Sequence, residues 1–407
     1  MAGWLFLAFA ATSLLFSASA WFRARRLGAF SFLYMMSGWL TGELALQHLA
    51  WQAVATLGFA LAGAFETPQA VPGLGLLFAS FALLVASFVR GLSARTAGGR
   101  ALAPLGRVPD ADVSPTHGLL RPFGMRRAGV EKLRDIPYGP PLPGDRGRRN
   151  LLDVVRPAAP GAGRPALLQI HGGAWLIGDK REQGQPLMAH LASRGWVCFA
   201  INYRLSPQAT FPDHIVDVKR AIRWIREHGA EYGADPDFLC VTGGSAGGHL
   251  TALAALSAND PRFQPGFEHV DTRLQAAVPF YGVFDFLDRH GIRGSQKMEP
   301  FLAQRVLKCT PAENPELWEA ASPISHVSAD APPFLLVHGS HDSLAWSDEM
   351  HAFQRVLAEK SRAPVLVLEL AGAQHAFDTF HSPRSAHVVR AVTAFLEHVY
   401  ETRAQNA

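Results

Sequence analysis

Ser245 stands in the run Gly243-Gly244-Ser245-Ala246-Gly247, directly after the apolar stretch 238–242 and directly before the helix-forming run Ala246–Leu256. A serine on a sharp strand-to-helix turn has an exposed hydroxyl, which nucleophilic attack on a carbonyl carbon requires. Glycines at 243 and 247 let neighbouring backbone pass close without a Cβ clash. The helix that begins at the serine aims its free N–H groups and its dipole at the negative charge that develops on attack.

A second run, Gln169-Ile170-His171-Gly172-Gly173-Ala174-Trp175, also follows a short apolar stretch. An acyl-transfer oxyanion needs N–H donors aimed at it. Adjacent glycines let the main chain approach a substrate, so Gly172 and Gly173 are the expected donors, with Ala246 as the third. His171 reads as a residue that shapes this loop. Trp175, Gly244 and Phe284 are the expected substrate contacts, although Trp175 and Phe284 suit the packing of core and cap equally well.

The serine needs a base, and the base needs an acid to orient it. Seventeen histidines are too many for composition to choose among. The elements that must position these groups narrow the choice. Short apolar runs at 151–155, 166–170, 197–201, 238–242, 274–280, 334–337 and 365–370 alternate with helical patterns at 213–232, 348–360 and 384–400. Such alternation predicts a mostly parallel sheet covered by helices on both faces. Ligands then bind beyond the carboxyl ends of the strands. Asp342 falls in the loop after run 334–337, and His375 in the loop after run 365–370. Asp348 is the alternative acid, better read as a first-turn residue of the next helix. His381 is the alternative base, while His338 and His341 flank the acid and shape its loop.

These pieces together resemble the hormone-sensitive-lipase-like branch of the α/β-hydrolase esterases, which includes arylacetamide-deacetylase-like proteins. The resemblance rests on His171-Gly172-Gly173, Asn202-Tyr203-Arg204-Leu205-Ser206-Pro207, Phe211-Pro212 with Asp217, Gly243-Gly244-Ser245-Ala246-Gly247-Gly248, His338-Gly339 with Asp342, and His375-Ala376-Phe377. It covers about two-thirds of the chain and has the chain order serine, acid, histidine. It implies an α/β-hydrolase fold with a cap, ester hydrolysis through an acyl-enzyme, and neither metal nor organic cofactor. Two positions depart from the family pattern. Ala174 stands where the family has a third glycine, and Gly244 stands where many members carry Asp or Glu. The second departure keeps an amidase or formamidase reading open beside the esterase. A binding protein of the same fold, without the chemistry, is the non-enzyme alternative. Arg204 with Asp217 reads as a structural ion pair, and Asp285 as an anchor of the cap.

The first ninety residues have a different texture. Residues 2–22, 44–65 and 72–89 are apolar runs of about the length that crosses a bilayer. Ala18-Ser19-Ala20 resembles a signal cleavage site, but no positive charge precedes the first run. Arg23, Arg25 and Arg26 follow the first run, and Arg90, Arg95, Arg100 and Arg107 follow the third, while 66–71 has no Lys or Arg. The positive-inside rule then places the amino terminus outside and the rest of the chain on the cytoplasmic side. The expected organisation is a three-span anchor at 1–90, a basic Gly/Pro/Ala-rich linker at 91–130 and a hydrolase domain at 131–407. A net charge of +4, concentrated beside the apolar segments, fits a membrane surface and no nucleic-acid groove. Three separated cysteines form neither a disulfide framework nor a metal site. The expected partners are a membrane and a small-molecule or lipid ester.

Overall fold

A computed structural model describes residues 1–23, 30–114, 118–140, 149–294 and 298–406. Arg25 and Arg26, two of the orienting arginines, lie outside these. Eight strands form one sheet: β1 (Val130–Pro137), β2 (Leu151–Pro157), β3 (Arg164–Ile170), β4 (Val197–Ile201), β5 (Ala234–Gly244), β6 (Ala277–Phe280), β7 (Phe334–Gly339) and β8 (Val365–Leu370). Their order is β1-β2-β4-β3-β5-β6-β7-β8. β1 and β2 run antiparallel to their neighbours, and every pairing from β4 through β8 is parallel. The expected α/β architecture is present.

Successive residues of a strand point to opposite faces, so each central strand feeds two cores. Leu168, Ile170, Leu239 and Val241 pack with Ile215, Val218 and Ile222 of helix Asp213–His228. Leu167, Cys198, Cys240 and Leu335 pack with Val392 and Phe395 of helix Pro383–Asn406. Burial on both faces is why these strands read as unbroken apolar runs. The edge strand β1 escaped the sequence pattern because its residues are half-buried or exposed and half of them are charged, without regular alternation.

The first four helices are α1 (Ala2–Ser19), α2 (Ser31–Glu43), α3 (Ala45–Leu61) and α4 (Ala70–Leu92). α1 and α4 run side by side in the same direction. A Cβ on Gly3 would meet Thr67 Cβ at 2.9 Å, Ser17 Oγ lies 2.7 Å from Ser80 Oγ, and the Trp21 indole donates to the Leu83 carbonyl and to Ser87. α3 returns against them, with Phe59 packed on Phe6 and Phe9. α2 meets α3 at a bend of 88°. Glu43 sits at this bend and forms a buried pair with Arg384.

The segment expected to be an irregular linker is partly helical. Residues Ala94–Leu102 form a helix whose Ala94, Ala101 and Leu102 are buried in the same core as Val388 and Val392. Small residues permit the close approach: a Cβ on Gly98 would lie 3.0 Å from Ala391 Cβ. Alanine and glycine carry little hydrophobic contrast, so the pattern is faint in the sequence.

Candidate active site

The Ser245 turn is built by close backbone packing. A Cβ on Gly243 would meet the Ile170 carbonyl oxygen at 2.5 Å, and one on Gly247 would meet the His171 carbonyl oxygen at 2.7 Å. Any larger residue there would push β5 from β3. Between these glycines Ser245 adopts φ 60°, ψ −121°, a conformation that costs a non-glycine residue about 1–3 kcal/mol. The strain is held by the Ser245 N–H, which donates to the Phe280 carbonyl at 3.0 Å, and by the helix that follows. The side chain is half-exposed, as a nucleophile's must be.

Asp342 and His375 lie in the loops after β7 and β8, at the same carboxyl-end rim as Ser245 after β5. His375 Nδ1 is 2.6 Å from Asp342 Oδ2. Asp342 Oδ1 accepts from the Leu344 and Ala345 N–H groups, each at 2.9 Å. Burial pushes the Asp342 carboxyl up, but the His375 and His338 imidazoles beside it pull harder and leave it well below the usual carboxylate range. Asp342 is therefore an anion throughout the physiological range.

Tyr281 connects His375 to the Ser245 turn. Its ring centroid is 4.5 Å from that of His375, and its hydroxyl donates to the half-buried Asp378. Its Cε2 and hydroxyl lie 2.8 and 2.6 Å from where a Cβ on Gly244 would stand. This explains the glycine at 244: the tyrosine occupies the space a larger residue would need. Among the described residues no hydrogen bond joins Ser245 Oγ to His375. Nucleophile–base bonds of this kind often tighten only in the substrate complex.

The expected oxyanion donors divide. The Gly172 N–H is committed, donating to Gln183 Oε1 at 2.7 Å. The N–H groups of Gly173, Ala174 and Ala246 make no hydrogen bond among the described residues. Ala174 thus replaces Gly172 in the set of free donors. Its φ of 53° and the 113° of Gly173 turn the loop so that consecutive N–H groups are left unpaired. The third place of the glycine run was the signal for it.

The expected substrate contacts are mostly occupied in packing. Trp175 is 3% exposed, lies edge-on to Phe286, and donates from its indole to His249 Nδ1 at 3.2 Å. Burial pulls His249 down to about 4, and its other nitrogen donates to the Ala321 carbonyl at 2.7 Å. Phe284 stacks on Phe353 with centroids 4.4 Å apart. Both aromatics serve the core in this structure. His171 stacks on Tyr203 and donates from Nδ1 to the Gly172 carbonyl at 2.7 Å, and burial pulls it down to about 4. It is a neutral loop brace. Asp348 lies in the first turn of helix Ser347–Lys360, paired with Arg23. His338 Nε2 donates to the Ala345 carbonyl at 2.8 Å. Arg204 grips Asp217 with two nitrogens at 2.8 and 2.9 Å, and Asp285 holds Arg289 at 2.7 Å. No cluster of metal-ligating side chains occurs among the described residues.

The strained turn at Ser245 and Asp342, the buried partner of His375, lie in a stretch of the chain that is similar to known proteins. The family described as BD-FAE matches residues 152–357, half of the chain. The chain belongs to the BD-FAE family. Membership bears out the resemblance to α/β-hydrolase esterases read from the motifs. The BD-FAE chain is 52% identical to the probable carboxylic ester hydrolase LipM of Mycobacterium tuberculosis over 271 residues, 66% of this chain and 62% of LipM. It is 49% identical over 282 residues to esterase LipQ of the same organism, 69% of this chain and 65% of LipQ. The matches thus span less than two thirds of the length of these curated relatives. Among solved structures, the thermophilic esterase Est2 of Thermogutta terrifontis superposes with a TM-score of 0.54 at 27% identity, covering 69% of this chain and 94% of that one.

Proposed function

We propose that this BD-FAE chain is a membrane-anchored carboxylic ester hydrolase with Ser245 as nucleophile, His375 as base and Asp342 as the acid that orients it. The observation that carries the reading is the pairing of His375 with ionised Asp342 at the rim where Ser245 sits in its strained turn. His375 takes the Ser245 proton as the hydroxyl attacks the ester carbonyl. The Gly173, Ala174 and Ala246 N–H groups receive the oxyanion, each contributing on the order of 3 kcal/mol to barrier lowering. Asp342 stabilises the imidazolium. The alcohol leaves with the proton, and water activated by His375 releases the acid. LipM, LipQ and Est2 carry ester-hydrolase names, which supports esters over amides.

Residues 1–90 are the anchor in this reading, and 131–407 the catalytic domain. α1 and α4 are long and apolar enough to cross a bilayer, and their parallel course requires a return crossing, for which α3 is available. α2 then lies at the catalytic side, folded back at the 88° bend. Arg23 and Arg90 fall at the ends nearest the catalytic domain, where Arg23 pairs with Asp348. By the positive-inside rule that side is cytoplasmic. The substrate is a small-molecule or lipid ester.

The test is turnover of a short-chain aryl ester and of its matched amide by the intact chain, and by Ser245→Ala. Ester turnover that disappears in the variant supports the proposal. Turnover that survives Ser245→Ala, or a preference for the amide, would overturn it.

A further inference from the structure

The loops that bear the acid and the base do not stand alone: both rest on the apolar helices at the amino terminus. The residue between them is Gln374. Its side-chain oxygen accepts from the Ser343 N–H at 3.2 Å, from Ser343 Oγ at 3.3 Å and from the His375 N–H at 3.2 Å. Ser343 follows Asp342, and His375 follows Gln374, so one buried amide oxygen sets the distance between the acid loop and the base loop. Gln374 is 2% exposed.

The other side of Gln374 faces α2. A Cβ on Gly38 would stand 3.4 Å from Gln374 Cγ and 2.9 Å from the Ser19 carbonyl oxygen. A Cβ there would overlap the Ser19 carbonyl oxygen and come into contact with Gln374 Cγ, so glycine lets α2 lie this close to the end of α1 with the glutamine packed beside it. Three further contacts hold α2 in place on the same loop. Trp39 packs on Phe380 with ring centroids 5.3 Å apart. Glu43 accepts from Ser382 Oγ at 2.7 Å and pairs with Arg384. Arg384 in turn reaches back to the Ala371 carbonyl at 3.4 Å, at the start of the base loop. α4 adds a fourth contact: Arg90 lies over Trp21 of the α1–α2 connection, and its Nη1 stands 2.5 Å from where a Cβ on Gly372 would be.

From this geometry we infer that Gln374 is a positioning residue through which α2 sets the placement of His375, so that the docked amino-terminal helices are part of the working enzyme. The inference rests on the Ser245–His375–Asp342 reading above. It gives the anchor a second role beside tethering. A change in how α2 sits, in lipid or in detergent, reaches the base through this glutamine, the contact that bears on both the acid loop and the base loop. Because Gln374 touches neither nucleophile nor oxyanion donors, its disturbance should slow the chemical steps and leave ester binding in place. A loss of general packing would do the reverse, unfolding the domain or weakening binding along with rate.

The experiment uses the full-length chain in detergent micelles, with Gly38→Leu, Gly38→Ala, Gln374→Leu, the Gly38→Leu/Gln374→Leu double variant, Ser245→Ala and His375→Ala. kcat and KM are read on a short-chain aryl ester, and thermal unfolding reports folding. The expected result is a kcat at least tenfold lower in Gly38→Leu and in Gln374→Leu, with KM within twofold of the parent. The double variant should be no worse than the worse single variant, because both act through one contact. Gly38→Ala, the smallest change, should fall between the parent and Gly38→Leu, and it carries the test if Gly38→Leu does not fold. The inference is overturned if a folded Gly38 variant turns over at the parental kcat, or if the two single effects multiply in the double variant. If Ser245→Ala or His375→Ala keeps parental turnover, the triad reading itself fails. If those two are inactive while the Gly38 and Gln374 variants are unaffected, only the inference fails.

Discussion

His375 Nδ1 stands 2.6 Å from Asp342 Oδ2, with the carboxylate fully buried and the imidazole nearly so. Two main-chain N–H groups fix the far oxygen of the same carboxylate, so the acid cannot rotate away from the ring. The imidazole is thereby held in the tautomer that leaves its other nitrogen free to accept a proton. Asp342→Asn removes that preference and the compensating charge, and kcat should fall by about 10³–10⁴-fold. Steady-state turnover of an aryl ester measures it.

The same pair gives a pH dependence of stability. The folded-state value of Asp342 lies below its unfolded value, so between the two the unfolded chain binds more protons and stability rises with pH. The contribution is complete above about pH 4, the unfolded carboxyl's range, and is lost as pH falls through the folded value. Acid unfolding monitored by circular dichroism should be shallower below pH 4 in Asp342→Asn than in the parent.

Gly244 is excluded from larger side chains by Tyr281. Gly244→Ala places a methyl within 2.6–2.8 Å of the tyrosine's hydroxyl and ring edge. The ring cannot retreat freely, because it is buried between His375 and Phe377 and tied to Asp378. Overpacking of this kind costs about 1–3 kcal/mol, and here the displaced ring presses on the base. Thermal unfolding should fall and kcat with it. A parental melting temperature in Gly244→Ala would show that the tyrosine yields.

Much of this arrangement was legible in the sequence, for a physical reason. Ser245 and Asp342 each follow a strand buried on both faces, and His375 follows the edge strand β8, whose half-buried positions are still mostly apolar; such strands announce themselves as apolar runs. The occupancy of particular donors and rings was not legible. Whether the Gly172 N–H is free depends on Gln183, eleven residues on, whose side chain turns back to accept from it. Trp175 and Phe284 were readable as lining or as core, and their ring contacts with His249, Phe286 and Phe353 could not be read from spacing. The role of Glu43 was not legible either, because its partner Arg384 lies 341 residues away. The edge strand β1 carried no alternating pattern to detect.

The Glu43–Arg384 pair is buried on both sides, with exposures of 2% and 4%. Glu43→Gln keeps the shape but leaves a buried guanidinium without its counter-charge. Removing one partner of such a pair typically costs about 3–5 kcal/mol. Thermal unfolding of the full chain in detergent should drop accordingly. An unchanged melting temperature would mean that the guanidinium finds water there.

Ala174 holds φ at 53°, in the left-handed region that penalises a Cβ by about 1–2 kcal/mol. Ala174→Gly relieves this strain, partly offset by the greater freedom of glycine in the unfolded chain. The net expectation is a stability gain below about 1 kcal/mol, measurable by denaturant unfolding, where most glycine substitutions destabilise.

The most direct measurement is covalent labelling by a fluorophosphonate, with the modified residue identified by mass spectrometry and ester turnover followed in the same sample. The account predicts one adduct, on Ser245, appearing in step with loss of turnover and absent in Ser245→Ala. Labelling at another residue, or full turnover by a chain quantitatively modified at Ser245, would contradict it.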